Sequence, residues 1–172
     1  SYILEYEDLP DAFEGFTITQ ISDLHCGSFD DPEKVAYGVE LINNQKSDLL
    51  LFTGDLVNNR SEEARPWIDL FSKIEAPHGK YSILGNHDYG DYAKWDSDQA
   101  KEENMKDLFD IHKKMGFDLL LNENRILKKG EDEISLIGVE NWGTGRFKKV
   151  GDLKKSIENI DSKDFKILMT HD

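Results

Sequence analysis

Four short stretches of this chain carry carboxylates, carboxamides and imidazoles at spacings that could hold divalent cations. They are Asp23-Leu24-His25-Cys26-Gly27, Gly54-Asp55-Leu56-Val57-Asn58, Gly85-Asn86-His87-Asp88 and His171-Asp172. Oxygen and imidazole donors without thiolates suit borderline ions such as Mn²⁺, Fe, Zn²⁺ or Co²⁺. A carboxylate shared by two such ions can hold them about 3.5–4 Å apart, close enough to clamp a phosphoryl group. Asp55 is the natural candidate for sharing. A water between two such ions becomes hydroxide near neutral pH and can attack phosphorus. Singly, each stretch is weak: Asp-x-His is common, Gly-Asp is more often a turn, and Asn-His suits an Asx turn.

Their positions join them. Strand-like runs fall at Tyr2–Tyr6, Phe16–Ser22, Asp48–Thr53, Lys80–Leu84, Ile134–Val139 and Phe165–Thr170. Several are short apolar blocks, which predicts strands covered on both faces. Helical patterns lie between them. Asp31-Pro32-Glu33 reads as an N-cap with proline at the first helical position, followed by Val35, Val39 and Ile42. Trp67, Leu70, Phe71 and Ile74 form an apolar stripe, and Leu153, Ile157 and Ile160 mark a short helix. Ala100 to Met115 reads as a longer helix stopped by Gly116. "ENRILKKGEDEISLIGVEN" reads as a hairpin. The alternation predicts a layered α/β domain whose first half is largely parallel. In such sheets ligands gather beyond the carboxyl ends of strands, where all four stretches fall. Gly54 and Gly85 each precede a polar residue and permit the tight turn that aims it into a shared cleft.

The ordered set Asp-x-His-x-Gly, Gly-Asp, Gly-Asn-His-Asp and a strand-terminal His resembles the calcineurin-like metallophosphoesterases. The text "DLLLFTGDLV" and "APHGKYSILGNHDY" is similar to their membrane-associated bacterial branch. The resemblance implies a two-layer β-sandwich flanked by helices around a dinuclear centre of Mn, Fe, Zn or Co ions. Carried onto this chain, it makes Asp23 and His25 ligands of one ion, Asp55 the bridge, and Asn86 and His171 ligands of the other. His87 then protonates the leaving oxygen or stabilises the phosphoryl charge. Leu24 points back toward the core. The implied function is a metal-dependent phosphoesterase acting on a small or lipid-linked phosphoester or pyrophosphate. The branch also raises tethering to a membrane through a segment ahead of Ser1.

Two departures matter. The family's final Gly-His-x-His is absent, since the five histidines are His25, His78, His87, His112 and His171. Residues 1–172 are therefore expected to be the N-terminal part of the domain. A scaffold that keeps the fold without turnover becomes the alternative, against which the presence of His87 speaks. Asn58 stands where several branches place an aspartate behind the catalytic histidine. An asparagine there can accept a bond from the ring but cannot offset an imidazolium charge.

The remaining polar residues have plainer expectations. Cys26 reads as a packed or loop thiol, His78 as a turn residue and His112 as a helix-surface residue; Asp88 has no assigned part. Tyr89, Tyr92 and Trp95, with Asn141, Trp142 and Arg146 as weaker candidates, read as lips of a cleft or as packing under loops. A dehalogenase-type phosphatase would need a second aspartate where His25 stands. With 35 acidic and 21 basic residues and a net charge of −14, the surface disfavours nucleic acid as a partner. One cysteine excludes an intrachain disulfide. No apolar run approaches the roughly 20 residues that span a bilayer.

Overall fold

The structure is a computed structural model and describes every residue except Ser1, Arg146 and Asp172. Its elements in chain order are β1 (Ile18–Ile21), α1 (Pro32–Asn43), β2 (Leu49–Phe52), α2 (Ile68–Phe71), β3 (Lys80–Ser82), α3 (Asp98–Lys114), β4 (Asp118–Leu119), β5 (Glu123–Lys129), β6 (Asp132–Gly138), α4 (Leu153–Ser156) and β7 (Lys166–Met169), linked by loops and single 3-10 turns.

Two sheets result. The first is wholly parallel in the order β1-β2-β3-β4, with Ile18 level with Leu49 and Leu50 level with Lys80. The second has the order β5-β6-β7: an antiparallel hairpin closed by Gly130-Glu131, then a parallel pairing of β6 with β7. The apolar block of β2 explains how the layers join. Leu49 and Leu51 pack with Phe13, Ile83, Leu120, Leu127, Ile134, Leu136 and Met169 between the sheets. Leu50 and Phe52 turn the other way, onto Val39, Trp67, Phe71, Leu108, Ile111 and Met115 from the helices. All four residues are buried, which is why the strand shows no polar alternation. The mixed α/β architecture and the parallel first half are as expected.

The helix signals work locally. Asp31 accepts from the amides of Glu33 and Lys34 at the start of α1. Ser97 accepts from the amide of Ala100 at the start of α3, and Gly116 follows its end. The Trp67–Ile74 stripe forms only a four-residue α2 after a 3-10 turn at Arg65–Trp67. The Lys80 ammonium lies among the carbonyls of Phe71, Ser72 and Met115, where it satisfies the ends of α2 and α3.

Two expectations are corrected, and one element was not anticipated. Tyr2–Tyr6 is not a strand; among the described residues no neighbouring strand takes its backbone hydrogen bonds, and Tyr2, Ile3 and Leu4 are exposed. His112 is not on the surface of α3. It is fully buried, one turn beyond Leu108, with its ring stacked near Phe52 and its Nδ1 at 3.0 Å from the Ser82 hydroxyl. The two-residue β4 carries too little apolar pattern to have been read. Among the described residues no helix is long and apolar enough to cross a membrane.

Candidate metal centre

The loops leaving β1, β2 and β3 are laced together before any side chain is considered. The amides of Asp23, His25 and Cys26 donate to the carbonyls of Gly54, Asp55 and Leu56 at 2.9, 3.1 and 2.9 Å. The β1–β2 pairing thus continues past the strands in an irregular form. The irregularity is visible in the backbone: Asp23, His25 and Asp55 have φ of 54°, 45° and 59°. Non-glycine residues rarely occupy this left-handed region, although Asp, Asn and His tolerate it best. Three such residues in one contact cluster cost on the order of 1 kcal/mol or more each and mark a site the surrounding structure holds in place.

Asp88 does much of that holding. It is fully buried, and its carboxylate accepts four backbone N–H bonds, from Gly85, Asp55, Leu56 and Val57, at 2.8–3.2 Å. It ties the loop after β3 to the loop after β2. Burial pushes its carboxyl up to about 7, while the N–H donors from Gly85, Val57 and Asp55 favour the ionised form. Gly54 and Gly85 allow the approach. A Cβ on Gly54, whose φ is +100°, would come within 2.3 Å of the Gly85 nitrogen; one on Gly85 would come within 2.2 Å of an Asp55 carboxylate oxygen. These glycines thus let two loops touch, as well as permitting the turns anticipated for them.

The same framework orients Asp55. One of its oxygens, Oδ1, accepts from the His87 amide at 2.9 Å. The other, Oδ2, faces His171 Nε2 at 3.5 Å and His25 Nε2 at 3.6 Å. Asp23 Oδ1 lies 3.9 Å from His25 Nε2. Burial alone would raise the Asp55 carboxyl, but His171, the His87 amide and the nearby imidazoles outweigh it and hold it below its usual value. On His171, Nδ1 donates to the Thr53 carbonyl at 2.8 Å, so Nε2 is the nitrogen turned to the carboxylate. That contact lifts the imidazole to about 9, against burial and with help from the Thr53 carbonyl. His87 is held likewise, its Nδ1 donating to a carbonyl at 2.7 Å. A ring nitrogen committed to a carbonyl, with the other facing acidic oxygens, is the usual posture of a metal-ligating histidine.

Two groups of potential ligand atoms result, each within 4.8 Å of one another: His25, Asp55 and His87, and Asp23, Asp55 and His171. Asp55 belongs to both. The gaps of 3.5–3.9 Å suit a cation with bonds of about 2.1 Å, around which neighbouring donors stand roughly 3–3.5 Å apart. The donor set therefore fits a divalent ion. Asp23 and His25, which the sequence allocates to one ion, lie 3.9 Å apart, and His87, placed there beside the centre, falls in one group with His25 and Asp55. Asn86 directly precedes His87 in the loop after β3, with its Nδ2 donating to the Tyr92 hydroxyl at 2.8 Å.

Other expectations sort themselves here. Leu24 packs toward the helix-side core. Cys26 is buried, and burial pushes its thiol up to about 12, so it is an inert packed group. His78 sits in a turn and meets Phe16 edge to face. The group behind His87 is the backbone carbonyl of Asn58, whose side chain instead donates to Ser28. Residue 58 therefore supports the ring whatever its side chain, which the sequence comparison with an aspartate had not allowed for. Tyr89 is buried and donates to Glu140, and Asn141 is buried with Nδ2 on the Lys148 carbonyl, so neither is a lip. Trp95 is turned into its own loop, with Nε1 on the Gly90 carbonyl. Tyr92 and Trp142 are exposed, and Arg146 lies outside the described residues. Asp88 was missed as a positioning residue; its signal was a carboxylate directly behind Gly-Asn-His, where it could collect N–H groups.

The fold and these strand-end loops define a calcineurin-like phosphoesterase, and the chain belongs to that family, whose model matches residues 16–172. Among its relatives, the metallophosphoesterase YkuE of Bacillus subtilis is 40% identical over 86 residues, covering 49% of this chain and 30% of the relative. A metallophosphoesterase of Aquifex aeolicus is 26% identical over 176 residues, covering 99% of this chain and 60% of the relative. The UDP-2,3-diacylglucosamine pyrophosphatase LpxG of Chlamydia trachomatis is 34% identical over 93 residues, covering 52% of this chain and 28% of the relative. The chain spans less than two thirds of the length of each.

Proposed function

We propose that this chain carries the greater part of a dinuclear metal centre of a phosphoesterase. Asp23, His25, Asp55, Asn86 and His171 would hold the ions, with Asp55 shared, and His87 would stand beside them. The observation that carries this reading is the Asp55 carboxylate. It is 2% exposed, one oxygen is fixed by an amide, and the other faces two imidazole nitrogens beyond ordinary hydrogen-bond distance. Divalent cations held there would supply Lewis-acid stabilisation of a phosphoryl group and a water acidic enough to attack phosphorus at neutral pH. The chain's own contribution is orientation. Asp88 fixes the loops, the Thr53 carbonyl sets the tautomer of His171, and the Asn58 carbonyl sets that of His87. With Nδ1 on the carbonyl, His87 presents Nε2 as the atom that gives a proton to the leaving oxygen or steadies its charge.

The substrate we favour is a lipid-linked phosphoester or pyrophosphate, on the strength of the pyrophosphatase activity for which LpxG is named and the exposed Tyr92 and Trp142. The net charge of −14 argues against nucleic acid. Membrane tethering would rest on residues outside this chain. The test is hydrolysis of bis-p-nitrophenyl phosphate by the full-length protein with and without Mn²⁺. Activity should be metal-dependent and fall at least about a hundredfold in both Asp55→Ala and His87→Ala. Full activity in Asp55→Ala would remove the dinuclear mechanism. Mn²⁺ binding without turnover would favour the scaffold reading.

A further inference from the structure

We propose that Tyr92 is a positioning residue for the metal centre: its phenol holds the nitrogen end of the Asn86 amide so that the oxygen end is left for a cation. This rests on the reading of Asn86 as a ligand given above. A carboxamide has two unlike ends of nearly the same shape. Its Oδ1 is a good donor for a hard or borderline cation, whereas its Nδ2 carries hydrogens that a cation repels. Rotation of the amide exchanges the two; a cation selects Oδ1, and a partner for Nδ2 is needed to hold the amide in that orientation.

In this structure Nδ2 donates to the Tyr92 hydroxyl at 2.8 Å. The phenol is not loosely placed. Its ring lies 4.7 Å from the His87 imidazole, tilted by 48°, and that imidazole is fixed by the Asn58 carbonyl. The segment bearing it is pinned on its far side by the Trp95 indole on the Gly90 carbonyl. Arg60 adds to this, lying 4.2 Å over the Trp95 ring and donating to the Lys94 carbonyl. A phenol can both give and accept a hydrogen bond, so it would also accommodate a rotated amide. A cation breaks that tie, because the rotated amide would turn its N–H groups toward it. Phenylalanine could supply the ring but no acceptor for Nδ2.

The effect sits where a surface role would be silent. Tyr92 is 47% exposed, so removal of its hydroxyl leaves the fold intact. Outer partners of metal ligands typically carry 10- to 100-fold in metal affinity, and a half-exposed one belongs at the low end.

The experiment is titration of this chain with Mn²⁺, followed by the paramagnetic resonance signal of the free ion. Wild type is compared with Tyr92→Phe, Asn86→Ala and the double variant, alongside melting curves in chelator. Tyr92→Phe should weaken one Mn²⁺ step about tenfold, with its chelated melting temperature unchanged. In the Asn86→Ala background the same substitution should add nothing, since the phenol acts through that amide. Wild-type affinity in Tyr92→Phe would overturn the proposal, as would an equal penalty with and without Asn86, or a large drop in its chelated melting temperature. Failure of the wild-type chain to bind Mn²⁺ at all would overturn the metal-centre reading together with this one. Mn²⁺ bound with no response to Tyr92→Phe would overturn this one alone.

Discussion

The strand-end loops and the helix-side core directly beneath them each contain a histidine whose Nδ1 is paired, and the two rings differ in what meets Nε2. In the loops, His171 Nε2 faces the buried Asp55 carboxylate. In the core, His112 Nε2 has no hydrogen-bond partner among the described residues, and the ring packs among Phe52 and Phe117. One environment draws a positive charge onto or beside the ring; the other excludes it. Burial pushes the His112 imidazole down to about 3, whereas Asp55 draws His171 up to about 9. A parallel contrast holds for carboxylates within the loops. Asp88 has four backbone N–H groups on its two oxygens, while Asp55 has one and leaves an oxygen facing imidazoles. A buried polar group with its hydrogen bonds complete is framework, and one left incomplete beside counter-charges is a place for a ligand.

The contrast is broken most forcefully at Asp88. Asp88→Asn keeps the shape but turns an NH₂ toward two of the four amides. We expect a loss of about 3 kcal/mol, from roughly two unsatisfied buried N–H groups, seen as a lower midpoint in urea with or without chelator. A midpoint unchanged in chelator would show that Asp88 is not framework. Asp55→Asn is the matched experiment. It keeps the acceptor for the His87 amide but removes the charge that pairs with the His171 imidazolium, so at pH 7 the chelated midpoint should fall by roughly 1–2 kcal/mol, less than for Asp88→Asn. What should vanish is the stabilisation by Mn²⁺, which for one site at a hundredfold excess over Kd is about 2.7 kcal/mol. Equal Mn²⁺ stabilisation in Asp55→Asn would place the ions elsewhere.

Much of this region was legible in the chain because its signals are local. Glycine before a polar residue, a block such as Leu49–Phe52 without alternation, and the Asp31-Pro32 cap each act within a few residues. Relations between loops were not legible. Nothing in Gly-Asn-His-Asp says that Asp88 will collect amides from residues 55–57, more than thirty positions away. Nor does Asn58 announce that its carbonyl, and not its side chain, will meet His87. The β4 strand was missed because two residues carry no period, and Tyr2–Tyr6 was misread because an apolar run cannot supply its own partner strand. His112 was a different failure. It stands four residues after Leu108, on the face that Met105, Leu108 and Met115 define, but its polarity was weighed above its position.

That misplacement gives the smallest and cleanest test. A histidine held neutral in the fold but free to protonate when unfolded stabilises the protein fully above its unfolded pKa of about 6.5. As pH falls from 6.5 toward 3, the unfolded state gains a proton that the folded state does not take up, and the contribution is lost at up to about 1.4 kcal/mol per pH unit. Asp88, raised to about 7, works with the opposite sign over much of the same range, because there the folded state is the one that takes up a proton. The slope must therefore be read as a difference between proteins. His112→Phe combined with Ser82→Ala removes both hydrogen-bonding partners from the buried site. Its absolute stability will reflect how the new ring packs, but its pH slope in chelator should lack the His112 contribution. Between pH 6.5 and 5 the wild type should lose up to about 2 kcal/mol more than the double variant in urea denaturation. Parallel pH profiles would mean that the His112 ring finds water or a partner in the folded protein, and the contrast between core and strand-end histidines would fall with it.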